Sequence, residues 1–261
     1  MNEIDFNKIF KQFLKEEELS VNNLLPKAHL HSDFWKGMVL DQEVQRKLSK
    51  IANDIMQQVR ISEFIDDIFI TGSIASFNWH PLSDIDLHFE FDFRKIDENT
   101  ELVKKMLDLT RMKWNKDHKI TIYGHEVEIY FQDSGEEHES AGLYSILRRE
   151  WVQNPMVSSR RPNNHAVVVK ARSIIREIER IQELFVQKRY QEAYSYSKTL
   201  KNKIKTMRMV GLAQEGVFST ENLAFKVLRN NEKLSTLSFL KNMSYDKIMG
   251  LNKLTKIKVK R

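Results

Sequence analysis

Two acidic residues set two apart, Asp84 and Asp86, follow the tripeptide Thr71-Gly72-Ser73 after ten intervening residues. Carboxylates at i and i+2 project to the same side of a strand, so such a pair can share cations. With no cysteine in the chain, oxygen ligands of this kind suit Mg2+ or Mn2+ rather than zinc. Glycine lets a backbone approach phosphate oxygens with no Cβ in the way. A serine opening a short helix would offer its amide and hydroxyl to the same phosphates. A triphosphate grip beside divalent cations is what nucleotidyl transfer requires, because the cations bridge the attacking oxygen, the α-phosphoryl oxygens and the leaving pyrophosphate. A third carboxylate, for the metal at the attacking oxygen, is expected from Val127-Glu128-Ile129. Glu126 shares that strand face and is the rival; Glu128 is preferred because apolar neighbours enclose it.

Each piece is ordinary alone: Thr-Gly-Ser after a strand is commonly a plain turn, and Asp-x-Asp is frequent by chance. Their order and spacing carry the specificity. Two acids on a buried-type strand also lower stability unless something neutralises them, and a metal site explains that cost.

The elements that must position these residues can be read from periodicity. Leu40 to Val59 has Val44, Leu48, Ile51, Ile55 and Val59 at helical spacing. Asp66 to Thr71 reads as a strand closing on the Gly-Ser turn, and Ile74 to Trp79 as a turn and a half of helix before His80-Pro81 stops it. From Ser83 the period becomes two, with Asp84, Asp86, His88, Glu90 and Asp92 on one face and Ile85, Leu87, Phe89, Phe91 and Phe93 on the other. Glu90 and Asp92, further from the Gly-Ser turn, read as solvated. Leu102 to Trp114 returns to helical spacing through Met106, Leu109 and Lys113. Lys119 to Tyr123 and Glu126 to Phe131 read as strands of a hairpin turning at Gly124-His125. Beyond His165 the pattern is helical almost throughout, with clear segments at Val168 to Gln187, Tyr190 to Val210 and Thr220 to Asn230. Ser219 or Thr220 would cap the last of these. A boundary falls near 150–165, where Asn154-Pro155 and Arg161-Pro162-Asn163-Asn164 cluster. The expected fold class is α+β, a mixed β-sheet with flanking helices in residues 1–155, followed by a basic α-helical domain in 156–261.

Composition sets the outer bounds. With 41% apolar and 30% charged residues the chain has the make-up of a globular protein, and no apolar run is long enough to span a membrane. Met1 to Lys15 reads as an amphipathic helix rather than a signal peptide. Lacking cysteine, the chain has no disulfide, zinc-thiolate or thiol chemistry. Residues 1–159 hold 19 Lys and Arg against 28 Asp and Glu, a net of −9. Residues 160–261 hold 23 against 8, a net of +15. An acidic half joined to a basic half suits a polyanion partner, although a solvated helical surface and a basic tail (Lys253, Lys256, Lys258, Lys260, Arg261) account for it equally well. Phe77 reads as core, whereas Trp79 could stack a nucleobase. His80, His88, His118, His125 and His138 have no ligand spacing, and Ser145 and Ser158 no catalytic context.

Gly72-Ser73 followed by Asp84-x-Asp86 and a later strand carboxylate resembles the DNA polymerase beta-type nucleotidyltransferase superfamily over roughly residues 64–132. The chain is similar over a longer span to predicted nucleotidyltransferases of tailed bacteriophages. That likeness runs through Phe34-Trp35, Thr71 to Trp79, Ser83 to His88, Val127 to Asp133, Gly142 to Ser145, Glu150-Trp151 and Gly216 to Asn222. The resemblance implies a nucleotidyltransferase-type sheet, two divalent ions (Mg2+ or Mn2+) and an NTP such as ATP as donor. Asp84 and Asp86 would bind both ions, with Glu128 at the ion of the attacking oxygen. Gly72 and Ser73 would hold the β- and γ-phosphates, and Lys198, Lys201 and Lys205 would close over the triphosphate, against the plainer reading of a solvated basic stripe. The expected reaction moves a nucleoside monophosphate to an acceptor hydroxyl and releases pyrophosphate, in the host cytoplasm if the chain is phage-encoded. An RNA 3′ end is the favoured acceptor, ahead of a second nucleotide, a protein side chain or a small molecule. The alternatives are a catalytically silent RNA- or protein-binding member of the same fold, and a nonspecific nucleic-acid binder.

Overall fold

The computed structural model describes residues 19, 21–136, 140–157 and 162–250. The expected helix at Met1 to Lys15, the basic tail, His138 and Ser158 lie outside the described residues. The chain divides into two compact units, one of residues 23–159 and one holding the helices from Asn164 onward.

In the first unit a short hairpin, β1 (Trp35–Lys36) and β2 (Val39–Leu40), precedes helix α1 (Gln42–Val59). Asp41 caps α1 by accepting from the backbone amides of Glu43 and Val44. A mixed six-stranded sheet follows, ordered β5-β6-β4-β3-β7-β8. Its strands are β3 (Ile65–Thr71), β4 (Ile85–Phe91), β5 (Thr121–Ile122), β6 (His125–Asp133), β7 (Leu143–Ser145) and β8 (Glu150–Gln153). Neighbours run antiparallel except β4 and β6, which are parallel. A parallel pair needs a crossover, supplied by the one-turn helix α2 (Phe93–Ile96) and by α3 (Thr100–Asp117).

The alternation expected from Ser83 onward holds along β4, where Ile85, Leu87, Phe89 and Phe91 are all fully buried. They join Ile68, Ile70, Val127 and Ile129 from neighbouring strands, Val44, Leu48, Ile55 and others from α1, and Val103, Leu107 and Trp114 from α3 in one core. Strand β6 is left partly open where β5 stops short, and Asn115 of α3 closes that edge. Its side-chain amide donates to the Ile129 carbonyl at 3.1 Å and accepts from the Ile129 amide at 3.0 Å.

Several expectations are corrected. Residues 72–78 form turns rather than a helix; Ser76 gives its hydroxyl to the Ser73 carbonyl, a side-chain bond that competes with helix. Asp92 leaves the strand face to cap α2, accepting from the Arg94 amide. The β5–β6 turn sits one residue earlier than expected, at Tyr123-Gly124, whose φ values of 50° and 85° suit a two-residue hairpin. In α3 the buried face is Val103, Leu107 and Trp114, not the Leu102, Met106, Leu109 line that the spacing picks out. Strands β7 and β8 are too short to show a period, and the sequence reading passes over them.

The second unit is helical: α4 (Asn164–Val186), α5 (Tyr190–Glu215), α6 (Thr220–Asn230) and α7 (Lys233–Met249). Asn163 caps α4 and Ser219 caps α6, each accepting a backbone amide three residues on. The buried faces follow helical spacing, as in Val167, Ala171, Ile174, Ile178, Ile181 and Phe185 of α4. No helix among the described residues is long and apolar enough to cross a membrane.

Candidate active site

The polar face of the sheet is laid out by strand register. Thr71 of β3 stands opposite Asp86 of β4, and Asp86 stands beside Glu128 of β6. Parallel neighbours in register point their side chains the same way, so Asp86 and Glu128 are adjacent acids on one face. Continuing along it, His88 pairs with Tyr130 and Glu90 with Gln132.

Gly72 shapes this centre. Its φ of +72° is in the left-handed region, and a Cβ added there would lie 1.9 Å from Asp86 Oδ2. The space that glycine opens at this turn holds the chain's own Asp86 carboxylate. Ser73 donates its hydroxyl to Ser83 Oγ at 2.7 Å, and Ser83 Oγ in turn accepts from the His80 amide at 2.9 Å. These bonds draw both ends of the Gly72-to-Ser83 loop together just ahead of Asp84. On the neighbouring strand His125, nearly fully buried, places Nδ1 2.6 Å from the Ser83 carbonyl oxygen. Asp84, expected on the strand, lies one residue ahead of β4, and the chain carrying it and Asp86 is thus tied to the strand carrying Glu126 and Glu128.

The carboxylates are dressed by groups that the sequence reading does not single out. The Tyr130 hydroxyl donates to Glu128 Oε2 at 2.7 Å. Its ring stacks on His88 at 4.8 Å, and the Arg111 guanidinium of α3 lies 5.2 Å from the ring centroid. Burial, then the charge of Asp86, then the hydrogen bond to Glu128 and its charge drive the Tyr130 phenol far above its ordinary value. Lys119 forms an ion pair with Glu126, and that hydrogen bond is the main cause of its raised pKa. The charges of Glu126, Glu128 and Asp84 act in the same direction, against the opposing effect of burial. Of the two rival acids, Glu126 is therefore the one neutralised by a lysine, and Glu128 the one beside Asp86.

A hard divalent cation suits this donor set in type and in face. The acids are all-oxygen ligands, and Thr71 adds a buried hydroxyl oxygen that has no hydrogen-bond partner. Among the described residues, no three His, Asp or Glu side chains are gathered closely enough to hold an ion as they stand. No family model matches the chain, and no curated protein or solved structure matches it.

The remaining expected residues fall elsewhere. Trp79 is engaged by the chain itself: its indole N–H donates to the His29 carbonyl at 2.8 Å, His31 packs at 4.4 Å and Lys27 lies 5.5 Å from the ring. Phe77 packs against the core, and His88 lies 3.1 Å from Gln132 Oε1. Ser145 is fully buried and donates to Asp67, which also pairs with Arg148. Lys198, Lys201 and Lys205 stand on α5 of the helical unit. Lys201 and Lys205 line a cavity of about 400 Å³ with Arg208, Phe225 and Leu237, and Lys201 donates to Ser238 at 2.9 Å.

Proposed function

We propose that this chain is a metal-dependent nucleotidyltransferase with Asp84, Asp86 and Glu128 as its working acids. The observation that supports this reading most is the register that sets Glu128 beside Asp86, with Gly72 stripped of a side chain at the same point. The three acids would hold two Mg2+ or Mn2+ ions, which supply charge neutralisation at the triphosphate and at the attacking oxygen. Ser73 would take the β- and γ-phosphates by exchanging its bond to Ser83 for one to phosphate, whereas the space at Gly72, expected to admit them, is taken by the Asp86 carboxylate, so Gly72 would contribute only backbone. Glu128 would accept the proton of the acceptor hydroxyl once Tyr130 turns its own hydroxyl away. The new bond joins the acceptor oxygen to the α-phosphorus of the NTP, the bond to the bridging oxygen breaks, and pyrophosphate leaves. The +15 charge of residues 160–261 favours an RNA 3′ end as acceptor.

The second reading, a silent RNA- or protein-binding member of the same fold, is favoured by the internal pairing of Glu126 with Lys119 and of Glu128 with Tyr130. Incubation with labelled NTPs, RNA and Mg2+ or Mn2+ separates the two. Pyrophosphate release that falls by about a thousandfold or more in Asp86→Asn and Glu128→Gln supports catalysis. No release from the wild type, or full activity in Asp86→Asn, rejects it.

A further inference from the structure

Within the helical unit, α5, α6 and α7 border a cavity of about 400 Å³, the size of a small-molecule pocket. Much of its lining is apolar. Ile204 of α5 and Leu237 of α7 are buried there, and Phe225 of α6 and Leu234 of α7 are partly buried. Lys201, Lys205 and Arg208 line the same cavity. Steps of three, one and three residues hold these cations and Ile204 on one face of α5. Lysine stems commonly cover apolar surface while the ammonium stays in water, and the exposed Lys201 and Lys205 can do that here.

The charge pattern asks for more than solvation. No acid is among the described lining residues. Lys203, on another face of α5, pairs with Glu177 at 2.8 Å, whereas Lys201 donates to the neutral Ser238 hydroxyl at 2.9 Å. Burial, and then the charge of Lys241 on α7, holds the Lys201 ammonium below its ordinary pKa, and a bound anion would offset that repulsion. Arg208 lies 4.2 Å from the Phe225 ring centroid and donates to Asn222 Oδ1 at 3.2 Å, which fixes it at the cavity.

We propose that this cavity binds a fatty acid, its hydrocarbon chain against Ile204, Phe225, Leu234 and Leu237 and its carboxylate at Lys201 and Lys205. A nucleotide would match the cations but not the walls. Ser238 is the one neutral polar side chain among the described lining residues, and its hydroxyl already accepts from Lys201 and donates to the Leu234 carbonyl at 3.0 Å. The polar edge of a base would give up water with no neutral group to replace it, whereas a hydrocarbon chain has no such bonds to lose.

Isothermal titration calorimetry of the full chain at neutral pH tests this with hexanoate, octanoate, decanoate, 1-octanol and AMP. Octanoate should bind one to one, and affinity should rise about fourfold with each added methylene as the chain enters the cavity. Octanol, which has the chain without the charge, should bind at least about tenfold more weakly. Lys201→Gln with Lys205→Gln should weaken octanoate by about tenfold and leave octanol unchanged, which separates loss of the charge from loss of the fold. No saturable binding, equal affinity for octanoate and octanol, or no gain with chain length would each overturn the proposal. AMP binding that depends on both lysines and is competed by octanoate would also overturn it, assigning the cavity to nucleotides. None of these outcomes depends on nucleotidyl transfer.

Discussion

Replacing Gly72 with alanine would impose two penalties at one position, a left-handed backbone on a residue with a Cβ and a collision with Asp86 Oδ2. Gly72→Ala should lose about 1–3 kcal/mol, read as a lower urea midpoint, and should also displace the acid on which transfer would depend. Tyr130 gives a pH prediction. Its phenol is held protonated in the fold well beyond the ordinary value of 10.0. Above that value the unfolded chain binds fewer protons than the folded one, so stability present below it is lost as pH rises. Urea midpoints should therefore fall more steeply at alkaline pH in the wild type than in Tyr130→Phe. At this scale the acids were legible because a strand's period of two puts them on one face. That period also places Tyr130 on the face of Glu126 and Glu128, a signal available but not drawn. Lys119 and Arg111 approach from outside β6, and nothing in their local sequence points to the carboxylates.

Between β3 and β6, strand β4 has both neighbours along its length, and its inward side chains are sealed. Leu87→Ala should cost about 2–5 kcal/mol in a urea titration, because nothing can collapse into the space. On α3, Met112→Ala should change stability by no more than about 0.5 kcal/mol, since Met112 is 60% exposed. The contrast shows where periodicity succeeds and fails. Strand β4 has a single apolar face, so its alternation leaves one choice. Helix α3 has two, and spacing alone cannot say which one meets the sheet. The expected helix at 74–79 failed for another reason: a hydroxyl-to-backbone bond competes with helix there.

Across the molecule, an acidic sheet unit and a basic helical one are joined in a single chain. If the acceptor is RNA, affinity for a single strand should fall linearly on logarithmic axes as salt rises, measured by filter binding. Lys198→Gln and Lys205→Gln should each reduce that slope by about one. An affinity insensitive to salt would place the acceptor among neutral or small molecules.

The amino-acid sequence alone determined the α+β class, the run of helices after residue 160, the alternation of β4 and the absence of thiolate ligands. All of these are local, set by side-chain period and by residue type. Only the tertiary structure decided that Glu128 rather than Glu126 stands beside Asp86, that Gly72 opens onto Asp86, and that α3 presents its methionine and leucine stripe outward. Those outcomes depend on the register between segments some forty residues apart and on competition between two apolar helix faces, which packing energy settles and local pattern does not.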